Sequence, residues 1–581
     1  MPMKNVLYAL IAVLICACTS EDSSIGNPTE KNSSFDLVAH IAVEPDGLHP
    51  LNSASLTTAY VFESIHKTLL KVDLITLDLI PDLAKGLPEQ IDSNTFRYTI
   101  QESPKWDDGS PVTAEDIRFT LLLAMCPLNN APQKRLTLEE FVDSVQVASS
   151  KKLIFSTLFP FAGANYIWSD LPIISKSVYD PDNVLGDLRF SQFKGESFEF
   201  SKETQDWFVN FNSRKYSHDP QYINGLGGYK VTHWEEGQYI SLAKKENWWG
   251  ETSTSIYNKT NPNNIHFKII TDEQTTSAAI LNKKIDVAYS LSSAQAYDLS
   301  KNEDFKTNFH LDKVDIFGFT FLAINSRPGP ATGNPVLADP NVRAAMSCST
   351  PYDAILESIY NMGTRQASIV NPKRKYYNGD LPMPQLDLNK ADSILSSSGW
   401  IDDNGDGIRE NTVDGEVTDL SFEIGYIDNS SFKTIAELLS LSFLKVGISA
   451  NIRPIEANAM FPKLLSQDYD VFISSLTGDG GFEDLSPLLH TDAWRQKSFN
   501  FTGFGDSITD NVLEDIKKTF DEEKRNSLYL ELQEKFNEQN TFIILYAVQR
   551  KIAINKKFKN PQCFAQKPSI LLNALELSVD N

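Results

Sequence analysis

The stretch from Lys433 to Leu476 constrains the fold more than any other part of the chain. Lys433 to Lys445 spaces Ile435, Leu438, Leu439, Ser442 and Phe443 so that they share one face of a helix. Ile448 to Ile455 alternates as a half-buried strand does. Ala457 to Leu465 returns to helical spacing, and Asp470 to Leu476 is a mostly apolar strand. Parallel neighbours need a helical crossover between them, so helix–strand–helix–strand in this order predicts βαβ units and an α/β fold.

A chain of 581 residues is too long for one hydrophobic core, so two or three domains are expected. Strand patterns also occur at Phe35–Val43, Leu74–Leu83 and Phe96–Ile100, and Thr57–Leu70 has a helical stripe of Val61, Ile65 and Leu69. Between them lies Ser103-Pro-Lys-Trp-Asp-Asp-Gly-Ser-Pro-Val-Thr-Ala-Glu-Asp-Ile117. Asp107 to Pro111 predicts a tight turn with Gly109 at positive φ. Thr113 is placed as the N-cap of a helix whose first turn holds Glu115 and Asp116 against its positive end. Residues 180–218 are aromatic and charged, and read as a local insertion.

The N-terminus carries an address. Lys4 precedes an apolar run from Val6 to Ile15, shorter than a comfortable membrane span, and the run ends in Leu14-Ile-Cys-Ala-Cys18. This resembles a bacterial lipobox. Cys18 is the expected acylation site, because small Ala17 precedes it while bulky Ile15 precedes Cys16. Residues 1–17 would then be a lipoprotein signal peptide, and 18–35, polar and Ser/Asn-rich, a flexible tether. Cys126, Cys348 and Cys563 remain; their spacing has no metal motif, at most one disulfide is open to them, and free thiols are expected.

The balance of 53 basic to 76 acidic residues, a formal −23, argues against nucleic acid as partner. There is no local nucleophile–His–acid signature, and Gly225-Leu-Gly-Gly lacks the Lys-Ser/Thr of a phosphate loop, so an enzyme is not expected. The eight histidines are scattered, with none at i, i+4, which gives no metal cluster. Asp402-Asp-Asn-Gly-Asp-Gly-Ile408 places Asp402, Asn404 and Asp406 as a calcium loop would. Its twelfth position is Val413 where a Glu belongs, so a Gly-containing turn is the first reading and a cation site the second. No resident cofactor is expected.

Pro81-Asp-Leu-Ala84, Thr95-Phe-Arg-Tyr-Thr99 and Trp106-Asp-Asp-Gly-Ser-Pro-Val-Thr-Ala-Glu-Asp-Ile117 are followed in order by Leu171-Pro-Ile-Ile174, Gly225 to Val231, Asn247-Trp-Trp-Gly250, Lys284-Ile-Asp-Val287, Asn341 to Met346 and Tyr469-Asp-Val471. This series resembles the family 5 extracellular solute-binding proteins, the peptide and nickel receptors of ABC importers, over about Ala42 to Ile554. The resemblance implies a two-lobed periplasmic-binding-protein-like α/β fold with a two-strand hinge near Ile316–Asn325 and Thr541–Val548. Lobe one would comprise 36–317 plus 536–581, with an extra subdomain at about 52–218, and lobe two 318–535. It also implies a monomeric, membrane-anchored receptor in the cell envelope that hands short peptides to permease subunits. Receptors of the same fold for a nickel chelate or an oligosaccharide are the alternative, and a surface lipoprotein without a transport role is a further one.

Asp479, in Thr477-Gly-Asp-Gly-Gly481, follows the strand ending at Leu476, where α/β lobes bind ligands at a strand's carboxyl end. In peptide-binding relatives an Asp at this position grips the ligand's α-amino group, so the resemblance assigns that role to Asp479. Leu476 stands where relatives carry an aromatic residue, and Phe472-Ile-Ser-Ser475 lacks the carboxylate-binding Arg that some have. Asp46 and His49 in the first loop, and Asn325 at the expected hinge, are further candidates to face the cleft. Trp248-Trp249 is expected to pack the first lobe rather than stack a ligand.

Overall fold

In the computed structural model the described residues are 34–194, 198–327 and 334–578. Two long strands, Phe309–Ile324 and Phe542–Asn555, lie antiparallel and carry the architecture. Their ladder breaks register between Asp315 and Phe319, and this break divides one large mixed sheet into two halves. On one side the second long strand pairs with Val287–Ala288. Asp36–Ile41, Asn264–Ile269, Tyr239–Lys244 and Tyr229–Glu235 then follow outward. On the other side Gly318–Ile324 pairs with Val471–Thr477, which is followed by Ser421–Ile427 and Ser449–Ile455.

The βαβ units expected at 433–476 are present. Helix Ser430–Leu444 connects parallel Ser421–Ile427 to Ser449–Ile455, and helix Ala457–Ser466 leads back to Val471–Thr477, parallel to the first. Ile435, Leu439, Ser442 and Phe443 are its buried face, as the spacing requires. Each half has its own core, which makes two lobes joined by two strands. The first long strand begins at Phe309, well before the expected hinge, and its outer half carries the exposed or half-buried His310, Asp312, Lys313 and Asp315.

A four-stranded antiparallel sheet, Glu89–Asp92, Thr95–Thr99, Lys152–Thr157 and Val142–Ser149, forms a subdomain on the first lobe. Helix Ala114–Met125 is buried against it along nearly its whole length. Gly109 has φ +84°, and Thr113 donates to Asp116 through its amide (2.8 Å) and its hydroxyl (2.9 Å), so the turn and capped helix form as predicted. Lys245 reaches Asp107 at 2.7 Å and ties the turn to the first lobe. Within the stretch read as a local insertion, helix Lys202–Phe211 buries Phe208 and Phe211 in the subdomain core, about 1.5–3 kcal/mol each by burial alone.

Leu171–Ile174 runs without a ladder partner, although Ile173 donates its amide to the Lys67 carbonyl at 3.0 Å. Trp248 and Trp249 both donate to the Leu226 carbonyl, at 2.9 and 3.1 Å, and pack the first lobe. Cys126, Cys348 and Cys563 are free thiols. Among the described residues no helix is long and apolar enough to cross a membrane, and Cys18 lies outside them.

Candidate functional site

Strand Val471–Thr477 is buried through Ser474 and emerges at its carboxyl end into Gly478-Asp-Gly-Gly-Phe482, which faces the first lobe. Two glycines permit the close approach. A Cβ on Gly480 would lie 2.8 Å from Leu77, and one on Gly163 2.6 Å from the Phe482 ring. Phe482 meets Phe161 edge-on at 5.4 Å, and the Gly480 amide donates to the Gln566 side chain of the returning C-terminal segment. Asp78 and Lys375 form a 2.7 Å ion pair across the same seam.

Arg374 shapes the loop. Its guanidinium donates to the carbonyls of Asp479 (2.6 Å), Gly480 (2.8 Å) and Gly481 (2.8 Å), and lies 4.7 Å over the Phe317 ring. Arg374 is only 9 % exposed, so three charge-assisted bonds in a dry setting fix the loop's backbone. Glu483 follows in the same buried environment. Burial raises its pKa, opposed by the nearby Arg374.

Between the lobes lies a cavity of about 530 Å³, within the range of small-ligand sites. Asp479, Gly481 and Phe482 come from lobe two. Lobe one supplies residues of the helix Leu56–Ile65 and of the segments around Lys134, Asp170 and Lys567. More open grooves of about 780 and 750 Å³ each lie on one half of the molecule, while a smaller pocket of about 90 Å³ beside Asp78, Tyr166, Arg374 and Arg525 also draws on both.

Some of its charges are neutralised within the protein. Lys71 pairs with Glu63 at 2.7 Å. Lys67 donates to the Tyr257 carbonyl (3.0 Å) and to Asn258 (2.6 Å), 3.6 Å from Asp82, and burial lowers its pKa. Asp170, Asp479, Lys134 and Lys567 have no ion pair among the described residues. Asp170 opens onto the cavity while protein surrounds it. That burial raises its pKa most, with Lys134 opposing, Asp479 adding to the rise and Lys567 opposing. His66 is buried at the cavity wall with neither ring nitrogen partnered, and burial, then Lys245 and His49, lower its pKa to about 3.

Of the residues singled out from sequence, Asp479 alone lines this cavity. Its Oδ1 accepts only the Gly481 amide, at 2.8 Å. The carboxylate of Asp46 is taken up by its own loop: it accepts the amides of Ala54 (3.1 Å) and Ser55 (3.2 Å) and the Thr58 hydroxyl (2.8 Å). His49 differs from the expected cleft residue because it is 2 % exposed. Its Nε2 bonds the Phe211 carbonyl at 2.9 Å, and its Nδ1 accepts from Leu51 and Asn52. Asn325 is fully buried, its amide donating to the carbonyls of Gln467 and Tyr469, both at 3.2 Å, which fastens the end of the long strand inside lobe two.

The Asp402 loop folds as successive Asx turns. Asp402 accepts the amides of Gly405 (2.7 Å) and Gly407 (3.0 Å), Asn404 that of Asp406 (2.8 Å), and Asp406 that of Ile408 (2.8 Å). Asp402, Asp406 and Glu410 offer oxygens within 4.8 Å of one another, but Glu410 is already engaged by the Asp403 amide and the Asn404 side chain.

Two lobes on a pair of crossing strands, with a charged cavity between them, define a solute-binding protein of the hinged kind. The chain matches the model of the bacterial extracellular solute-binding proteins, family 5, over residues 78–496, and it belongs to that family, whose members are binding proteins outside the cytoplasm rather than enzymes. It is 21 % identical over 555 residues to an oligopeptide-binding protein, AppA, of Bacillus subtilis, covering 94 % of this chain and 92 % of that one. It is 22 % identical over 552 residues to the nickel-binding periplasmic protein of Escherichia coli, covering 93 % and 92 %. The solved structure of the Bacillus protein with a nonapeptide has the same fold, with a TM-score of 0.69 at 18 % identity over 94 % of this chain and 99 % of that one.

Proposed function

We propose that the protein is the substrate-binding component of an ABC importer, tethered by lipid at Cys18, that captures short peptides between its lobes and delivers them to a membrane permease. The observation that carries this reading is Asp479, a carboxylate presented to the interlobe cavity on a loop held by Arg374 and left without a cationic partner. A peptide's ammonium would complete it with a charge-assisted hydrogen bond. A ligand touching both lobes favours the closed arrangement by its differential affinity for it, so binding itself drives closure about the crossing strands.

A nickel chelate is the second reading, on the strength of His66. Among the described residues lining the cavity it is the one histidine, and its low pKa keeps it neutral and able to ligate. One imidazole gives a metal little hold without others, which favours the peptide.

Native mass spectrometry of the protein purified from its own cells separates the readings. A mixed set of short peptides is expected; a single metal complex or a glycan would overturn the peptide assignment. Asp479→Ala is expected to weaken peptide binding by about 1.5–3 kcal/mol, the scale of a charged hydrogen bond. Unchanged affinity in calorimetry would remove Asp479 from the site. Absence of acyl mass on an N-terminal Cys18 in the membrane-extracted chain would remove the anchor.

A further inference from the structure

Lobe one carries an open groove of about 750 Å³ that shares no residue with the interlobe cavity. Its floor is the uncovered face of the outer sheet. Val38, His266, Ser241 and His233 stand opposite one another across four strands, and Lys268 and Tyr239 belong to the next row. Lys284 joins them from the turn before Val287–Ala288. The other face of these strands is core, with Ala39, Ile240, Leu242, Ile265 and Phe267 fully buried, so the sheet has one apolar and one wet side. The Ser241 hydroxyl and His266 Nδ1 lie 2.8 Å apart, which holds that ring within the row. Among the described residues lining the groove none is acidic, and Lys268 and Lys284 have no ion pair there. In a chain with a formal charge of −23 this is a local reversal of sign.

The chain enters the fold beside this groove. The Asn263 amide donates to the Phe35 carbonyl at 2.8 Å, Asp36 pairs with Asn264, and Val38, two residues further on, already lines the groove. From Cys18 to Asp36 the chain spans at most about 65 Å even when fully extended. An acyl group at Cys18 therefore keeps this end of lobe one close to the bilayer. Resting on that anchor, we propose that the groove is a docking surface for anionic phospholipid headgroups and lays lobe one against the membrane that holds the tether. Ammonium and imidazole groups donate to phosphate oxygens, and each lysine close to an anionic surface strengthens binding about fivefold. Tyr239, 38 % exposed, adds an aromatic ring with a polar tip, a side chain suited to headgroup depth. The acidic remainder of the molecule is repelled by the same surface, so attraction confined to one face also orients the protein. Because the groove draws on lobe one alone, lobe two stays free to close about the crossing strands.

The test uses the whole acylated chain, extracted from membranes and reconstituted on phosphatidylcholine vesicles with and without phosphatidylglycerol. A water-soluble acetylating reagent is added, and the modification of each lysine is followed by peptide mass spectrometry. Lys268 and Lys284 are expected to react about five- to tenfold more slowly on the anionic vesicles, with the gap closing at high salt. Lys433 and Lys445, exposed on lobe two, should react alike on both. Equal rates at Lys268 and Lys284 on the two kinds of vesicle would overturn the docking surface and leave the anchor standing. Protection spread equally over Lys433 and Lys445 would overturn the assignment to this groove. Failure of the chain to stay on vesicles of either composition would overturn the anchor itself, and this inference with it.

Discussion

Two loops approach the cleft from opposite lobes, and they use their carboxylates differently. In the loop from Glu44 to Ser55, Asp46 accepts two amides and a hydroxyl, and His49 is bonded at both ring nitrogens. The loop folds by consuming its own polar groups and starts the helix Leu56–Ile65. In the loop from Thr477 to Phe482, the backbone is held from outside by Arg374, and Asp479 keeps most of its hydrogen-bonding capacity. A carboxylate is available to a ligand only where something else does the structural work. Each loop offers a single Asp, and what separates their carboxylates is a guanidinium more than a hundred residues away in sequence from Asp479.

Arg374→Ala is the largest way to break this contrast. Three carbonyls would lose a buried charged donor and Glu483 would lose its nearest cation, at a cost of about 3 kcal/mol or more in stability, together with loss of peptide binding. Chemical denaturation and calorimetry measure both. A variant that binds peptide normally would show that the loop holds its shape without Arg374.

His66 sharpens the contrast from the other side, as a buried group whose ring nitrogens have no hydrogen-bond partner among the described residues. Its pKa is lowered to about 3, and that of His49 to about 4 by burial, with the Phe211 carbonyl opposing. Both imidazoles are neutral in the folded protein and ordinary, near 6.5, when unfolded. The unfolded chain therefore takes up protons first as the pH falls below 6.5, and stability present above that value is lost towards pH 4 and 3. Between pH 7 and 5 each imidazole removes about 2 kcal/mol. His66→Gln, which forfeits no hydrogen bond, should flatten the dependence by about that amount in urea melts at the two pH values. An unchanged slope would mean that His66 reaches solvent through the cleft.

The sequence makes the scaffold legible for the same reason that it hides most of the site. Ile435, Leu439 and Phe443 announce a helix because burial is periodic, and Asp107 to Asp116 announces a turn and cap because its bonds are local. The outer half of the long strand Phe309–Ile324 escaped that reading because Asp312, Lys313 and Asp315 sit half-exposed at the crossing and blur the alternation. Asp479 could be found from its place after an apolar strand. Lys134, Asp170 and Lys567 look like any solvated charges, since only tertiary structure brings them to one cavity. His49 misled in the opposite sense, as a loop histidine whose partner carbonyl on Phe211 comes from the helix within residues 180–218.

The smallest test concerns Asp46, and it bears most directly on the two loops. Asp46 is exposed, and burial would raise its pKa, but the Ala54 amide, the Thr58 hydroxyl and the Ser55 donors outweigh that and hold it below the usual carboxylate range. Asp46→Ala removes acceptors that water can replace in part, so a loss of about 1 kcal/mol in stability is expected, as for a helix-capping residue. Peptide affinity should be unchanged, because the carboxylate is already occupied and does not line the cavity. Calorimetry on the variant beside Asp479→Ala decides the matter. A drop in affinity comparable to that of Asp479→Ala would place Asp46 in the site and erase the distinction between a loop that folds with its charges and one that keeps them for a ligand.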